Sequence, residues 1–355
     1  MRVLVVGAGP AGLTAAVELA RLGAEVKIID KRKTGSGLSR AVGITPESLM
    51  ILTPSGVADK LIAEGVKFRG ARIYRGASLA LDLLIDIPRP KYGFDSILGL
   101  PQDRTETLLR EALERFGVTI NYSTELSGLR MEGNKVVAET ADEVIDTVDY
   151  VIGADGVHST TRGLLGLEFP GYELPETWSI ADVDAKDWPN KVSFTLCQLA
   201  DGKVVVAVPL EEGRYRIISN TENALASLPL TMNVTNIRRE GQFDISVRQV
   251  KKYSRGRVFL VGDAAHCHSP VGGRGMNLGI GDSADLARRL INGDSEGYGA
   301  ARSVVGRQTI EGSERIRKLV TSPNPLLRLS FRIGLKLISS VPALQRRIAN
   351  LILYG

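Results

Sequence analysis

Three aspartates carry the chemistry that can be read from this chain. Each stands at or just beyond the C-terminal end of a short apolar run: Asp30 after residues 25–29, Asp155 after 150–153 and Asp263 after 257–261. In an open α/β sheet, that end of a strand is where ligands bind. The first acid is preceded by Gly7-Ala8-Gly9-Pro10-Ala11-Gly12, a GxGxxG segment between an apolar strand and a helix. Gly7 permits the tight turn, Gly9 lets the backbone approach a pyrophosphate, and Gly12 lets helix and strand pack closely. The helix N-terminus adds free N–H groups and partial positive charge for phosphate. An acid about 20 residues on, here Asp30, accepts ribose hydroxyls and disfavours a 2′-phosphate, so the bound dinucleotide is expected to be NAD or FAD rather than NADP.

The second acid belongs to Gly153-Ala154-Asp155-Gly156, followed by Ser159 and Arg162. Taken alone, this is an Asp-Gly turn with Ser159 capping the next helix. The third lies in Val261-Gly262-Asp263-Ala264-Ala265-His266, which continues through Ser269-Pro270-Val271-Gly272-Gly273-Arg274-Gly275-Met276-Asn277. Asp263 is suited to accept from a ribityl hydroxyl. Gly272, Gly273 and Gly275 allow backbone to approach a flat ring. A helix starting near Met276 would aim N–H groups at negative charge on the N1–C2 edge of reduced flavin.

The elements that must position these acids alternate as in a doubly wound α/β domain. A strand over 2–6, a turn over 7–12, a helix over 13–22 and a strand over 25–29 form its first half. Helices are expected over 46–52, 57–64 and 103–116, and strands over 118–121, 126–132, 135–140 and 150–153. Residues 168–252 change character to alternating runs, an antiparallel sheet inserted into the first domain. Strand-like stretches over 70–87 stand ready to join it. After the strand at 257–261 comes a Gly-rich stretch, 262–281, then regular helix over 282–291. The tail, 325–354, is apolar and basic, with Pro342 dividing two helices.

Composition narrows the classes. The 355 residues are 43% hydrophobic and 24% charged, which excludes disorder and collagen-like sequence. The net charge of +5 belongs to the tail, because residues 313–355 hold eight Lys or Arg against one acid, Glu314. The body carries no basic stripe for nucleic acid. Cys197 and Cys267 form no CxxC pair, the start resembles no secretory leader, and no apolar run reaches the ~18 residues of a membrane span. A cytoplasmic protein without a bound metal is expected. The tail sets an apolar face beside Arg328, Arg332 and Lys336, and packing on the protein is expected over contact with an anionic membrane. His266 and His268 flank Cys267 near the third acid. Proton transfer is open to His266, but both histidines read first as packed beneath the loop, and Cys267 as a buried filler.

The order and spacing of the three motifs resemble the class A flavoprotein monooxygenases, the para-hydroxybenzoate hydroxylase-like aromatic hydroxylases, over nearly the whole chain. Two shorter matches add to this: Ser39-Arg40-Ala41 with Ile44 and Pro46, and Leu100-Pro101-Gln102 with Arg104 and Glu106. The resemblance implies a Rossmann-like FAD-binding domain (1–167 and 253–324), an inserted antiparallel-sheet substrate domain (168–252, with a contribution from 70–100) and a C-terminal helical segment (325–355). It implies that Gly7, Gly9, Pro10, Ala11, Gly12, Asp30 and Lys31 hold the adenosine and pyrophosphate end of FAD, with Asp155 near the pyrophosphate. Arg40, Gln102, Gly262, Asp263, Gly273, Gly275, Met276 and Asn277 would hold the rest, with Arg40, His266 and Pro270 nearest the reacting ring. It further implies that NAD(P)H reduces FAD and that a C4a-hydroperoxyflavin formed with O2 hydroxylates a small aromatic or phenolic substrate, in a monomer or homodimer. A flavin-dependent reductase or halogenase of the same fold is the alternative. No WxWxIP halogenase segment occurs, the only tryptophans being Trp178 and Trp188. Arg274 replaces the glutamine or apolar residue usual in the family, the inserted sheet is short, and no thioredoxin-like domain is present.

Overall fold

The computed structural model describes residues 1–35, 41–85, 87, 90–141 and 143–354. Arg2–Val6 is apolar and flanked on both sides by parallel partners, Glu25–Ile29 and Tyr150–Gly153. Val258–Leu260 extends the sheet parallel to Tyr150–Gly153, and Ile120–Asn121 and Ser254–Arg255 close its two edges. A strand buried on both faces needs a continuous apolar run, which is what 3–6 and 258–261 supply. All three motif acids therefore leave the same end of one parallel sheet.

Helix α1 (Pro10–Arg21) starts three residues earlier than its apolar pattern suggests. Pro10 is pre-set for the first helical turn, so the second half of the glycine motif is helix rather than turn. After α2 (Pro46–Leu52), α3 (Val57–Glu64), α4 (Gln102–Arg115) and α5 (Thr160–Leu164) comes α6 (Gly275–Asn292), seven residues longer at its start than the regular pattern over 282–291. Its glycines are tolerated because they pack on α1. A Cβ at Gly279 would lie 3.2 Å from the Ala11 Cβ and 3.3 Å from the Gly262 Cα. Among strands not anticipated, Val144–Val148 pairs with Lys135–Glu139 in a three-stranded meander with Gly128–Glu132, and Gly43–Ile44, Val66–Lys67 and Leu98–Gly99 form a small sheet.

A seven-stranded sheet lies beside this unit. Its order is Asn233–Phe243, Trp178–Lys186, Arg214–Ser219, Val204–Glu211, Ser193–Gln198, Gly70–Arg75 and Ser78–Leu84. Neighbours run antiparallel except Ser193–Gln198 with Gly70–Arg75. Thus two strands from the 70–100 segment complete the later sheet. A smaller sheet ties the two parts together: Ser246–Gln249 pairs with both Gly171–Glu173 and His266–Cys267.

Helix α7 (Tyr298–Val320) leads to α8 (Pro325–Ser340) and α9 (Pro342–Tyr354), broken at Pro342 as the sequence implies. The last two helices pack on the protein through Leu335 against Leu81 and Leu83, and through Ala349 and Leu353 against Ile85. Along α8, Leu326, Leu329, Ile333 and Leu337 are exposed. No helix of the described residues is long and apolar enough to cross a membrane.

The tightest approach to backbone is at the first glycine turn. A Cβ on Gly12 would sit 1.8 Å from the Gly7 carbonyl oxygen, and one on Gly7, whose φ is +105°, 2.5 Å from the Ala154 oxygen. Gly12→Ala is therefore expected to lower stability by about 1–3 kcal/mol through overpacking, with weaker retention of any ligand on this turn. Thermal denaturation of the variant checks this, and an unchanged midpoint would contradict the packing described.

Candidate active site

The first turn offers a cradle. Gly9 has no atom within 4 Å of the position a Cβ would take, and α1 has no side-chain cap at its N-terminus. Its first-turn N–H groups therefore face open space with the positive end of the helix dipole behind them. Ala11 is packed against Gly262 and Gly279, and the Ser283 hydroxyl donates to the Ala11 carbonyl at 2.7 Å, so α1 and α6 converge on this point.

Asp30 is buried and more fully engaged than expected of a ribose acceptor. It accepts from the Ala8 N–H at 2.7 Å, from the Arg32 N–H at 2.8 Å, and from the Arg32 guanidinium at 2.7 and 3.0 Å. Burial works to raise its carboxyl, but the Arg32 and Ala8 donors outweigh it and hold the group below the ordinary carboxylate range. For Asp30 to accept a ribose hydroxyl, an Arg32 donor would have to give way, and that side chain is 37% exposed. Lys31 is exposed and only loosely paired with Glu125 at 3.6 Å.

Asp155 turns into its own loop. It accepts from the Ser159 hydroxyl and from the Thr161 N–H at 2.8 Å and hydroxyl at 3.0 Å, while Ser159 caps α5 by accepting from the Arg162 N–H. Arg162 then donates to the Ala264 carbonyl at 3.0 Å and lies over the Phe169 ring. The second motif thereby buttresses the third.

Asp263 differs from both. It is exposed amid buried neighbours and has no hydrogen-bond or ion-pair partner among the described residues. Beyond it, Gly272 and Gly273 have positive φ, and nothing lies within 4 Å of a Cβ on Gly273. The Gly273 N–H donates to the Pro270 carbonyl at 2.9 Å, which closes the loop. Helix α6 then begins at Gly275 without a side-chain cap. Met276 is buried. The Asn277 amide is committed within the protein: it accepts from the Thr45 N–H at 2.9 Å and the Ser48 hydroxyl at 2.8 Å, and donates to the Gly43 and Gly273 carbonyls at 2.8 and 3.1 Å. It clamps the glycine loop to the start of α2, leaving the backbone, not the amide, to face a ligand. Gln102 likewise accepts from the Ala41 N–H at 3.2 Å and donates to Glu106 at 2.8 Å. Arg40 lies outside the described residues.

His266 is packed beneath the loop. It is 1% exposed, and its Nε2 meets Asp282 Oδ2 at 2.5 Å, while Arg302 donates to Asp282 Oδ1 at 2.6 Å and the Gly262 N–H to Oδ2 at 3.1 Å. Burial favours neutral Asp282, yet His266 and Arg302 prevail and hold its carboxyl below the ordinary value. His268 donates from Nδ1 to the Ser269 carbonyl, and burial pushes its basicity down, leaving Nε2 without a partner. The Cys267 thiol is pushed up to about 12, by burial first and then by the Asp263 charge, so it is no nucleophile. Among the described residues no cluster could hold a metal ion.

Two features escaped the sequence reading. Arg216 is fully buried in a bidentate pair with Asp182 at 2.6 and 2.7 Å, and reaches the Ala41 carbonyl at 3.3 Å, joining the large sheet to the loop before α2. An acid and a base on facing apolar strands, Trp178–Lys186 and Arg214–Ser219, were the available signal. Arg274 crosses to the end of α9, donating to the Leu351 and Ile352 carbonyls at 3.2 and 3.4 Å, so the tail is tied to the glycine loop.

Two uncapped helix N-termini, open glycines and one unpaired carboxylate, at one end of a parallel sheet, fit an extended flavin dinucleotide and define the class as a flavoprotein. The FAD binding domain model matches residues 1–224 and 220–296, and the chain belongs to that family, the class A flavoprotein monooxygenases. It is an FAD-dependent oxidoreductase. It is 30% identical to 6-methylpretetramide 4-monooxygenase of Streptomyces rimosus, an alignment covering 100% of this chain and 68% of that protein. It is also 30% identical to pentachlorophenol 4-monooxygenase of Sphingobium chlorophenolicum, covering 90% and 64%. The crystal structure of p-nitrophenol 4-monooxygenase from Pseudomonas putida superposes with a TM-score of 0.88 at 22% identity, covering 99% of this chain and 98% of that one.

Asp263→Ala is expected to leave the fold intact, since the carboxylate has no protein partner, while FAD retention falls by about tenfold or more. Flavin-to-protein absorbance after gel filtration checks it, and full flavin content would remove Asp263 from the site. Asp282→Asn is expected to cost about 3–5 kcal/mol, because an amide cannot accept from all three buried partners, His266, Arg302 and the Gly262 N–H. In the parent, Asp282 is depressed by folding, so its stabilisation is present above the unfolded carboxylate pKa and is lost as pH falls through the lower folded value. Urea midpoints of parent and variant should converge on acidification; a constant gap from pH 7 to 3 would refute this.

Proposed function

We propose that this protein hydroxylates an aromatic or phenolic small molecule, consuming NAD(P)H and O2 and releasing NAD(P)+ and water. The observation that carries the reading is the unpaired Asp263 carboxylate set between the open glycine loop and two converging helix N-termini. The names of the relatives, which act on ring compounds, support the substrate class.

Bound FAD supplies the redox chemistry, accepting hydride and activating dioxygen. The residues supply position and field. Gly9 and the first turn of α1 cradle the pyrophosphate, with Asp30 and Arg32 at the adenosine ribose and Lys31 nearby. Asp263 accepts from the ribityl chain. The N–H groups at the start of α6, from Gly275, Met276 and Asn277, stabilise negative charge on the pyrimidine edge of the reduced ring. Asn277 and Gln102 position backbone, and Arg40 is assigned to the flavin by its place in the motif. His266 holds the loop from beneath. Water is excluded by an apolar group in which Val271, on the glycine loop, packs with Trp178, Phe243 and Phe331.

The purified protein should show a flavin absorption spectrum. NAD(P)H oxidation should accelerate with one member of a phenol panel, with one oxygen atom from O2 appearing per product. Reduction of a double bond, halide incorporation, or NAD(P)H consumption that yields no oxygenated product from any ring compound would overturn the proposal.

A further inference from the structure

A second polar site lies away from the three motifs. A cavity of about 410 Å³ opens between α4, the hairpin that joins Val204–Glu211 to Arg214–Ser219, and Gly35. That volume is within the roughly 300–1,000 Å³ of small-molecule sites. Along one face of α4, Asp103, Arg104, Thr107 and Arg110 line it, and the ion pair of Glu211 and Arg214 faces them from the hairpin.

The three guanidiniums are not equivalent. Arg104 is held by Glu64 at 2.6 and 2.7 Å. Arg214 is paired with Glu211 at 3.0 Å, but its buried Nε has no partner. Arg110 meets no carboxylate among the described residues, donating only to the Thr107 hydroxyl at 2.7 Å. It lies directly against Gly35, where a Cβ would fall 1.7 Å from its Nη1. Two turns before it on the same face of α4, Asp103 Oδ1 is buried without a donor. Unmet guanidinium donors beside an unmet carboxylate acceptor suit a ligand that carries both anionic oxygens and hydroxyls. A sugar phosphate has both.

The location narrows the ligand further. Gly35 follows Asp30 and Arg32 on one loop, and α4 begins at Gln102, whose amide holds the Ala41 backbone. The cavity therefore sits where the dinucleotide unit meets the large sheet. The chain has one GxGxxG turn, and the bound flavin occupies it, so the reducing dinucleotide needs another foothold. A few guanidiniums in a wet cavity bind phosphate weakly and reversibly, as a co-substrate that must leave each cycle requires.

We propose that this cavity docks the phosphate-bearing end of the reduced nicotinamide dinucleotide, with Arg110 as its anion contact and Asp103 accepting from a ribose hydroxyl. For the identity of the nucleotide, this rests on the hydroxylase reading above.

The test uses ADP-ribose and inorganic pyrophosphate, which bind without chemistry. Calorimetric titration of the FAD-loaded protein in phosphate-free buffer is run for the parent, Arg110→Ala, Arg110→Lys and, as an exposed-charge control, Arg315→Ala. Flavin content verifies that each variant is folded. ADP-ribose affinity is expected to fall about tenfold in Arg110→Ala, less in Arg110→Lys, and not at all in Arg315→Ala. The KM for NAD(P)H should rise in parallel with kcat unchanged. Equal ADP-ribose affinity in parent and Arg110→Ala, or no binding of either probe to the parent, overturns the site. If NAD(P)H reduces the flavin with a KM untouched by Arg110→Ala, the site fails while the hydroxylase reading stands. If Arg110→Ala abolishes ADP-ribose binding but neither nucleotide reduces the parent's flavin, the site stands and the hydroxylase reading fails.

Discussion

The close approach of backbone at the glycine turns is the constraint on which this structure depends. Gly7, Gly12 and Ala154 meet where any added carbon would collide, and Ala11, Gly262 and Gly279 meet a few ångströms away. These contacts join the first strand, the strand that ends at Asp155, and the strand that ends at Asp263, segments separated by more than a hundred residues. Only because they touch do two helix N-termini and a free carboxylate open onto a common space. Small residues here cost chain entropy and yield little buried surface, so they are explained by geometry rather than by stability.

Around that junction the protein has placed its buried charges in braces. Asp282 is gripped by His266, Arg302 and the Gly262 N–H beneath the third motif. Arg216 and Asp182 tie the large sheet to Ala41, and Arg162 ties the second motif to Ala264. Buried ion pairs contribute modestly to net stability, because desolvation offsets their attraction. What they do supply is fixed orientation, since each partner's loss leaves an uncompensated charge. The division of labour among the three acids follows: Asp155 is spent on its own loop, Asp30 is shared with Arg32, and Asp263 alone faces outward.

The tail takes part in the same arrangement. Arg274 leaves the glycine loop to meet carbonyls at the C-terminal end of α9, where the helix dipole favours a cation. Tyr354 on α9 reaches the Phe94 carbonyl at 3.2 Å, so the tail also braces the segment around residues 90–96. The arginine that departs from the usual residue of its motif thus has a structural use.

Much was legible in the sequence because it depends on local chemistry. Glycine spacing, apolar run length and Pro342 determine the turns, the buried strands and the break in the tail, and these need only the neighbouring residues to be understood. The start of α1 was misplaced because Pro10, pre-set for a first helical turn, draws the end of the glycine motif into the helix, whereas the start of α6, expected near Met276, falls at Gly275. The parallel register of Gly70–Arg75 on Ser193–Gln198, the partners of Arg216, and the choice of Asp263 over Asp155 as the free acid were decided only by the tertiary structure. Each turns on which distant donor arrives beside a buried charge, and sequence spacing carries no record of that distance.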